Sequence, residues 1–114
     1  MDISFKSTKL EKEFNEGKRL EKAHGSLRAK KIRIRLAELR AASTLHDLGP
    51  PKISLGRCHE LTGDRKGQLS VDLDHPYRLI FVPNHDLVPL KPDKGLDWKQ
   101  ITAIMITGIE DTHE

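Results

Sequence analysis

The stretch RKGQLSVDLDHPYRLIFV, residues 65 to 82, decides the fold. Leu69, Val71 and Leu73 alternate with polar residues, which is the two-residue period of a strand with one wet face. Asp74-His75-Pro76 follows, and these residue types favour a tight turn. Tyr77 to Val82 is apolar on both faces apart from Arg78, the pattern of a central strand. An antiparallel hairpin is expected, with its second arm inside the sheet.

Upstream, ISF at 3–5 reads as a short edge strand. Thr8, with Glu11 three residues on, has capping-box spacing, and Leu10 and Phe14 share a face of the helix that follows. Gly17 is a stop signal, with helix resuming over 18–23. In SLRAKKIRIRLAELRAAS, residues 26–43, the alternation Arg33-Ile34-Arg35-Leu36 reads locally as strand. The wider window is helical, because Ala29, Ile32, Leu36 and Leu39 recur at helical spacing among strong helix formers. LGPPK, residues 48–52, ends the helical half. Downstream, residues 83–99 carry three prolines (Pro83, Pro89, Pro92) and Gly95 and form a long connection, and ITAIMITGI, residues 101–109, supplies the last strand. The expected architecture is α+β: two N-terminal helices on a small, mainly antiparallel sheet, with residues 1–114 as one domain.

Composition narrows the function classes. The longest apolar run falls well short of the roughly 20 residues a membrane helix needs, and MDISFKSTKLEKEF lacks a signal-peptide core. Cys58 is the only cysteine, so no internal disulfide is expected, which suits a reducing cytoplasm. The histidines and Cys58 lack the paired spacing of a zinc site, so neither metal nor other cofactor is expected. Charge is unevenly spread, with a net of +6 over residues 1–43 and −3 over residues 44–114. A basic half on a small domain points to a polyanion partner. Arg28, Lys30, Lys31, Arg33, Arg35 and Arg40 line the second helix against one acid, Glu38.

Residues 57–81 hold the chemistry-bearing side chains. Asp64-Arg65-Lys66 lies between Gly63 and Gly67, placing two cations on a tight connection, with His59 just before it. Arg78 interrupts an otherwise apolar strand, which is costly unless the guanidinium is paired or faces a cleft. Asp72, Asp74 and Glu110 are available as structural partners for Arg78, and His59 can equally be a hydrogen-bonded structural histidine.

The run CHELTGDRKGQLSV, the strand YRLIF and the tail EDTH together resemble the HigB-type toxins of the RelE/ParE superfamily, the plasmid maintenance system killer family. RLAELRAASTLHDLG is similar to that family's second helix and its exit. The resemblance implies a small curved antiparallel sheet carrying two helices. It also implies ribosome-dependent, metal-independent endonucleolytic cleavage of messenger RNA, the 2′-hydroxyl attacking the adjacent phosphate and the 5′-oxygen leaving. Such a toxin is cytoplasmic and silenced by a HigA-like helix-turn-helix antitoxin, through which alone it reaches operator DNA.

By the same resemblance, His59, Arg78, Asp111 and His113 are the catalytic positions. Arg57, Thr62, Arg65, Lys66 and Thr112 are RNA contacts, and the charge of the second helix, independently of the resemblance, points to a contact with ribosome or antitoxin. Thr62 stands where the family often has a lysine, and Thr112 where it often has a tyrosine. Two rival functions share the fold: a ParE-like toxin acting on DNA gyrase without nuclease activity, and a catalytically weakened corepressor subunit. An acid–base set of His59, Asp111 and His113 argues for the nuclease, since general acid–base groups serve no purpose in a protein that only binds.

Overall fold

The hairpin forms as its alternation dictates, in a computed structural model that describes residues 1–51 and 53–111. Strand β3 (Leu69–Asp72) runs antiparallel to β4 (Tyr77–Pro83), with Leu69 opposite Phe81 and Asp72 opposite Arg78. Leu73 lies just beyond β3, where its N–H donates to the Tyr77 carbonyl at 3.0 Å across the turn. On the other side of β4 lies β5 (Ala103–Asp111), again antiparallel. A two-residue β2 (His59–Glu60) borders β3, and β1 (Asp2–Phe5) joins β5 in parallel. The order β1-β5-β4-β3-β2 makes β4 the central strand and the sheet mixed, with one parallel pair among antiparallel ones.

Among the described residues three α-helices precede β2, where two were expected: α1 (Thr8–Asn15), α2 (Gly17–His24) and α3 (Ser26–Ala41). The break between the first two falls at Glu16, whose φ of −108° and ψ of 108° are extended. Ser7, not Thr8, caps α1. Its backbone is extended and its hydroxyl accepts the Leu10 N–H at 3.1 Å, so Thr8 is already helical and the Thr8–Glu11 box does not form. In α3 the helical spacing prevails over the local alternation, and Ala29, Ile32, Leu36 and Leu39 are its buried residues.

The core lies between these helices and one face of the sheet, where Leu79, Phe81, Ile104 and Ile106 are fully buried. The long connection contributes to it through Leu96 and Trp98, while Leu87 stays 88% exposed. Within β5 the ladder shifts register. Ile80 pairs with Gly108 but Phe81 pairs with Ile106, so Thr107 bulges out and its hydroxyl donates to the Ile80 carbonyl at 3.2 Å. A bulge reverses which face each later residue takes. Ile104 and Ile106 face the helices before it, Ile109 and Asp111 after it, and Gly108 and Glu110 face away.

One polar tie locks α3 to the hairpin. Arg28 pairs with Asp74, Nε–H donating to Oδ1 at 3.0 Å and Nη2 to Oδ2 at 3.2 Å, and its guanidinium carbon stacks 3.6 Å from the Tyr77 ring centre. The hydrogen bond from Arg28 holds the Asp74 carboxyl below the usual carboxylate range. A depressed folded pKa stabilises the protein above the unfolded value near 3.9, and this stabilisation disappears as pH falls through the folded value. Arg28→Ala is expected to cost about 1–3 kcal/mol at neutral pH. Thermal melts of Asp74→Asn and the parent chain should converge as pH falls from 6 toward 2, and a constant gap would count against the pair.

Candidate active site

The face of the sheet turned away from the helices collects the polar residues of the hairpin. Strand pairing aligns Asp72, Arg78 and Glu110 side by side across β3, β4 and β5, and places His59 opposite Ser70. Arg78 does not meet an open cleft unpaired. Its Nε lies 3.4 Å from Asp72 Oδ1, and its Nη1 contacts His59 Nε2 at 3.3 Å. Asp72 also pairs with Arg57, Oδ2 to Nε at 3.0 Å. Arg57 and Arg78 therefore share one carboxylate, and His59 joins the group through Arg78.

The contacts of His59 fix its tautomer. A guanidinium only donates, so Nε2 is the acceptor and the ring proton sits on Nδ1, which donates to the Arg57 carbonyl at 2.8 Å. The imidazole thus presents an unprotonated nitrogen to the face where Arg78 lies. Arg57 is held with φ +50°, a backbone state that non-glycine residues seldom adopt, one residue after Gly56 at +66°. Gly56 is required here, because a Cβ would sit 2.9 Å from Arg35 Cδ. Arg35 in turn donates from Nε to the Asp72 carbonyl at 2.7 Å and from Nη1 to Glu38 at 2.7 Å. Helix α3 thereby braces both chain segments that carry the site.

Other expected residues fall elsewhere. Asp111 is the last described residue of β5 and pairs with Tyr77, so the bulge places it on the helix side of the sheet, away from His59 and Arg78. Glu110 is the β5 acid that shares their face. Thr112 and His113 lie outside the described residues. Arg65 reaches back over the open face to Glu110, Nη1 to Oε1 at 2.7 Å and Nη2 to Oε2 at 2.8 Å, and also holds Gln68. Its guanidinium is largely occupied within the chain, whereas Lys66 and Thr62 are exposed on the same turn. In α3, Arg28, Arg33 and Arg35 make internal ties, Arg33 to Glu21 and the Gly17 carbonyl. Lys30 and Arg40 stand exposed and Lys31 is half-buried. Much of the helix's charge is therefore structural.

Sequence reasoning recognised Asp72 only as one of several partners for Arg78, and the paired spacing of Arg57 and Arg78 about it had no signal in the chain. Cys58, next to His59 in the chain, is fully buried, and burial pushes its thiol up to about 12, far from the thiolate form that reacts. A cleft of about 760 Å³ between residues 46–51 and 91–99 borders Glu60 and Trp98 on the other side of the sheet. There Trp98 Nε1–H donates to Glu60 at 3.1 Å.

Among solved structures, the chain is similar to a YoeB/ParE toxin from Agrobacterium tumefaciens, with a TM-score of 0.57 over 99% of this chain and 100% of that one. The chain has the RelE/YoeB-like toxin fold. Sequence identity in that comparison is 12%, so the likeness is one of architecture. No protein-family model matches the sequence, and no curated protein shows significant similarity to it. Among the described residues, no helix is long and apolar enough to cross a membrane.

The Arg65–Glu110 tie should behave as a strap on the 61–68 turn. Its hydrogen bonds from Arg65 hold Glu110 below the ordinary carboxylate range, so the tie is complete above pH about 4.3 and is lost as pH falls through the lower folded value. Glu110→Gln should cost under about 1 kcal/mol globally, since both side chains are partly exposed. Amide hydrogen exchange of residues 63–67 should nevertheless rise several-fold, and unchanged exchange there would show that the turn holds without the strap.

Proposed function

We propose that this protein is the toxin of a type II toxin–antitoxin pair, a HigB-like endoribonuclease that cuts messenger RNA on the ribosome. The observation that carries the reading is the His59–Arg78 contact on the open face of a RelE/YoeB-like sheet, with Arg57 close by. Cleavage by the 2′-hydroxyl requires a group to take that proton, cations for the charge that grows on the phosphorus oxygens, and a proton for the departing 5′-oxygen. Arg78 is placed to leave His59 Nε2 and take the scissile phosphate, which frees an unprotonated imidazole nitrogen beside the nucleophile. Arg57, 60% exposed along its side chain, supplies the second cation.

Protonation of the leaving oxygen falls to His113 in this reading, delivered by the segment after β5. Asp111 orients that segment from the sheet edge rather than touching the phosphate. Exposed Lys30 and Arg40 of α3, with Lys66 and Thr62 on the turn, meet ribosomal or messenger RNA, and Thr112 is a further RNA contact in this reading. The silencing partner is a HigA-like helix-turn-helix antitoxin, which carries the complex to operator DNA, and the site of action is the cytoplasm. Residues 1–114 act as one toxin domain without cofactor. A gyrase poison of the ParE kind would have no use for a histidine held in one tautomer against an arginine.

Purified chain, programmed ribosomes and primer extension test the proposal. Arg78→Ala should lower the cleavage rate about 10²-fold or more and His59→Ala about 10²- to 10⁴-fold, both with near-parental melting curves. His113→Ala should lose a comparable factor. A truncation must end after Asp111, because one at Gly108 removes the β5 residues paired with Tyr77, Arg78 and Leu79. Folded variants that cut at the parental rate would overturn the assignment.

A further inference from the structure

The geometry points to Asp72 as a positioning residue: one carboxylate that clamps the Nε edges of Arg57 and Arg78 and turns their Nη edges toward a single phosphodiester. The inference rests on the nuclease reading for its substrate, but its structural basis is independent. Oδ2 lies 3.0 Å from Arg57 Nε, and Oδ1 lies 3.4 Å from Arg78 Nε. Two guanidinium groups repel each other, and a carboxylate between them is the simplest way to hold them adjacent. Engaging Nε keeps the Nη edge of each fork toward the open face, the edge on which a bidentate phosphate contact depends, and in Arg78 the Nη1 contact with His59 has to give way to the incoming anion.

Asp72 does little for the fold that a neutral residue would not do. Oδ1 is buried and makes no hydrogen bond, its 3.4 Å contact with Arg78 Nε being an ion pair alone, a weak return for a desolvated carboxylate oxygen. Ser70 Oγ, two residues earlier on the same face, is likewise buried without a hydrogen bond. The structural tie at position 72 runs through the backbone instead, from Arg35 Nε to the Asp72 carbonyl at 2.7 Å, and survives any change of side chain. The main chain is braced by α3 while the carboxylate spans the two arginines and, through Arg78, reaches His59. Asp72 touches no reacting atom. It acts through Arg57 and Arg78.

Positioning and charge make opposite demands on binding, and this separates them from a structural role. Removing a negative charge beside two arginines strengthens attraction for RNA, while releasing the arginines spoils their alignment. Asp72→Asn should keep or raise the melting temperature, leave KM for programmed ribosomes unchanged or lowered, and reduce kcat about tenfold to a hundredfold. Asp72→Glu restores the charge one methylene too far out and should stay low in kcat. A wild-type kcat in either variant would overturn the inference.

Nuclear magnetic resonance of the arginine Nε–H groups decides the clamp without any cleavage. In the full parent chain the Arg57 and Arg78 Nε–H signals should exchange slowly. A short single-stranded RNA with a 2′-deoxy linkage, which cannot be cut, should shift the Nη signals of both together. In Asp72→Asn both Nε–H signals should broaden into fast exchange. Parent Nε–H signals already exchanging at solvent rates would overturn the clamp even if the variants fail to fold. A parent chain that does not cleave but shows both Nε–H signals and the joint shift would overturn the nuclease reading and leave the clamp standing.

Discussion

A single extra residue in β5 determines which side chains meet. Thr107 bulges from the ladder between the Ile80–Gly108 and Phe81–Ile106 pairs, and every residue after it changes face. Without the bulge, Glu110 would sit opposite Tyr77 in the helix layer, Ile109 would stand opposite Arg78, and Asp111 would fall on the open face one pair beyond Tyr77. With it, Ile109 packs on the core, Glu110 joins the Asp72–Arg78 row, and Asp111 ends beside Tyr77. The row of acid, arginine and acid across three strands is the frame on which Arg57, His59 and Arg65 are hung. Each of those three lies on or beside the short β2 and its following turn, segments with little regular pairing to hold them in place.

That lack of regular pairing explains the basic third helix. Arg28 fixes the hairpin turn through Asp74, and Arg35 fixes the end of β3 through the Asp72 carbonyl and crowds Gly56. These guanidinium groups reach places an apolar side chain could not, because each target is a carboxylate or a backbone oxygen at the sheet's margin. The helix is thus a brace for the site as well as one wall of the core. Its exposed cations, Lys30 and Arg40, remain for a polyanion.

The hairpin, the central place of β4 and the buried stripe of α3 were legible in the chain, since alternation and helical spacing report burial directly. Strand partners were not. The parallel pairing of Asp2–Phe5 with Ala103–Ile106 joins segments a hundred residues apart, and period-two alternation carries no record of who sits alongside. The helix start was misread by one residue because Ser7 and Thr8 are both good caps and backbone angles decide between them. His59 and Arg78 lie in contact on the open face, a meeting that depends on the register of β2 against β3. Asp111 did not join them, because a bulge at a threonine in an apolar run leaves no mark in composition. Arg65 reads as a free loop cation until its bidentate pairing with Glu110 is seen.

The chemistry of the cut ends tests the central claim most directly. Attack by the 2′-hydroxyl leaves a 2′,3′-cyclic phosphate on the upstream fragment and a 5′-hydroxyl on the downstream one. A reporter message on purified ribosomes, exposed to the full chain and mapped at both new ends, should show these two groups at a defined place in the reading frame. Fragments with 5′-phosphates would mean that water, not the ribose, attacks. An intact message would mean that the open face of this sheet serves another purpose.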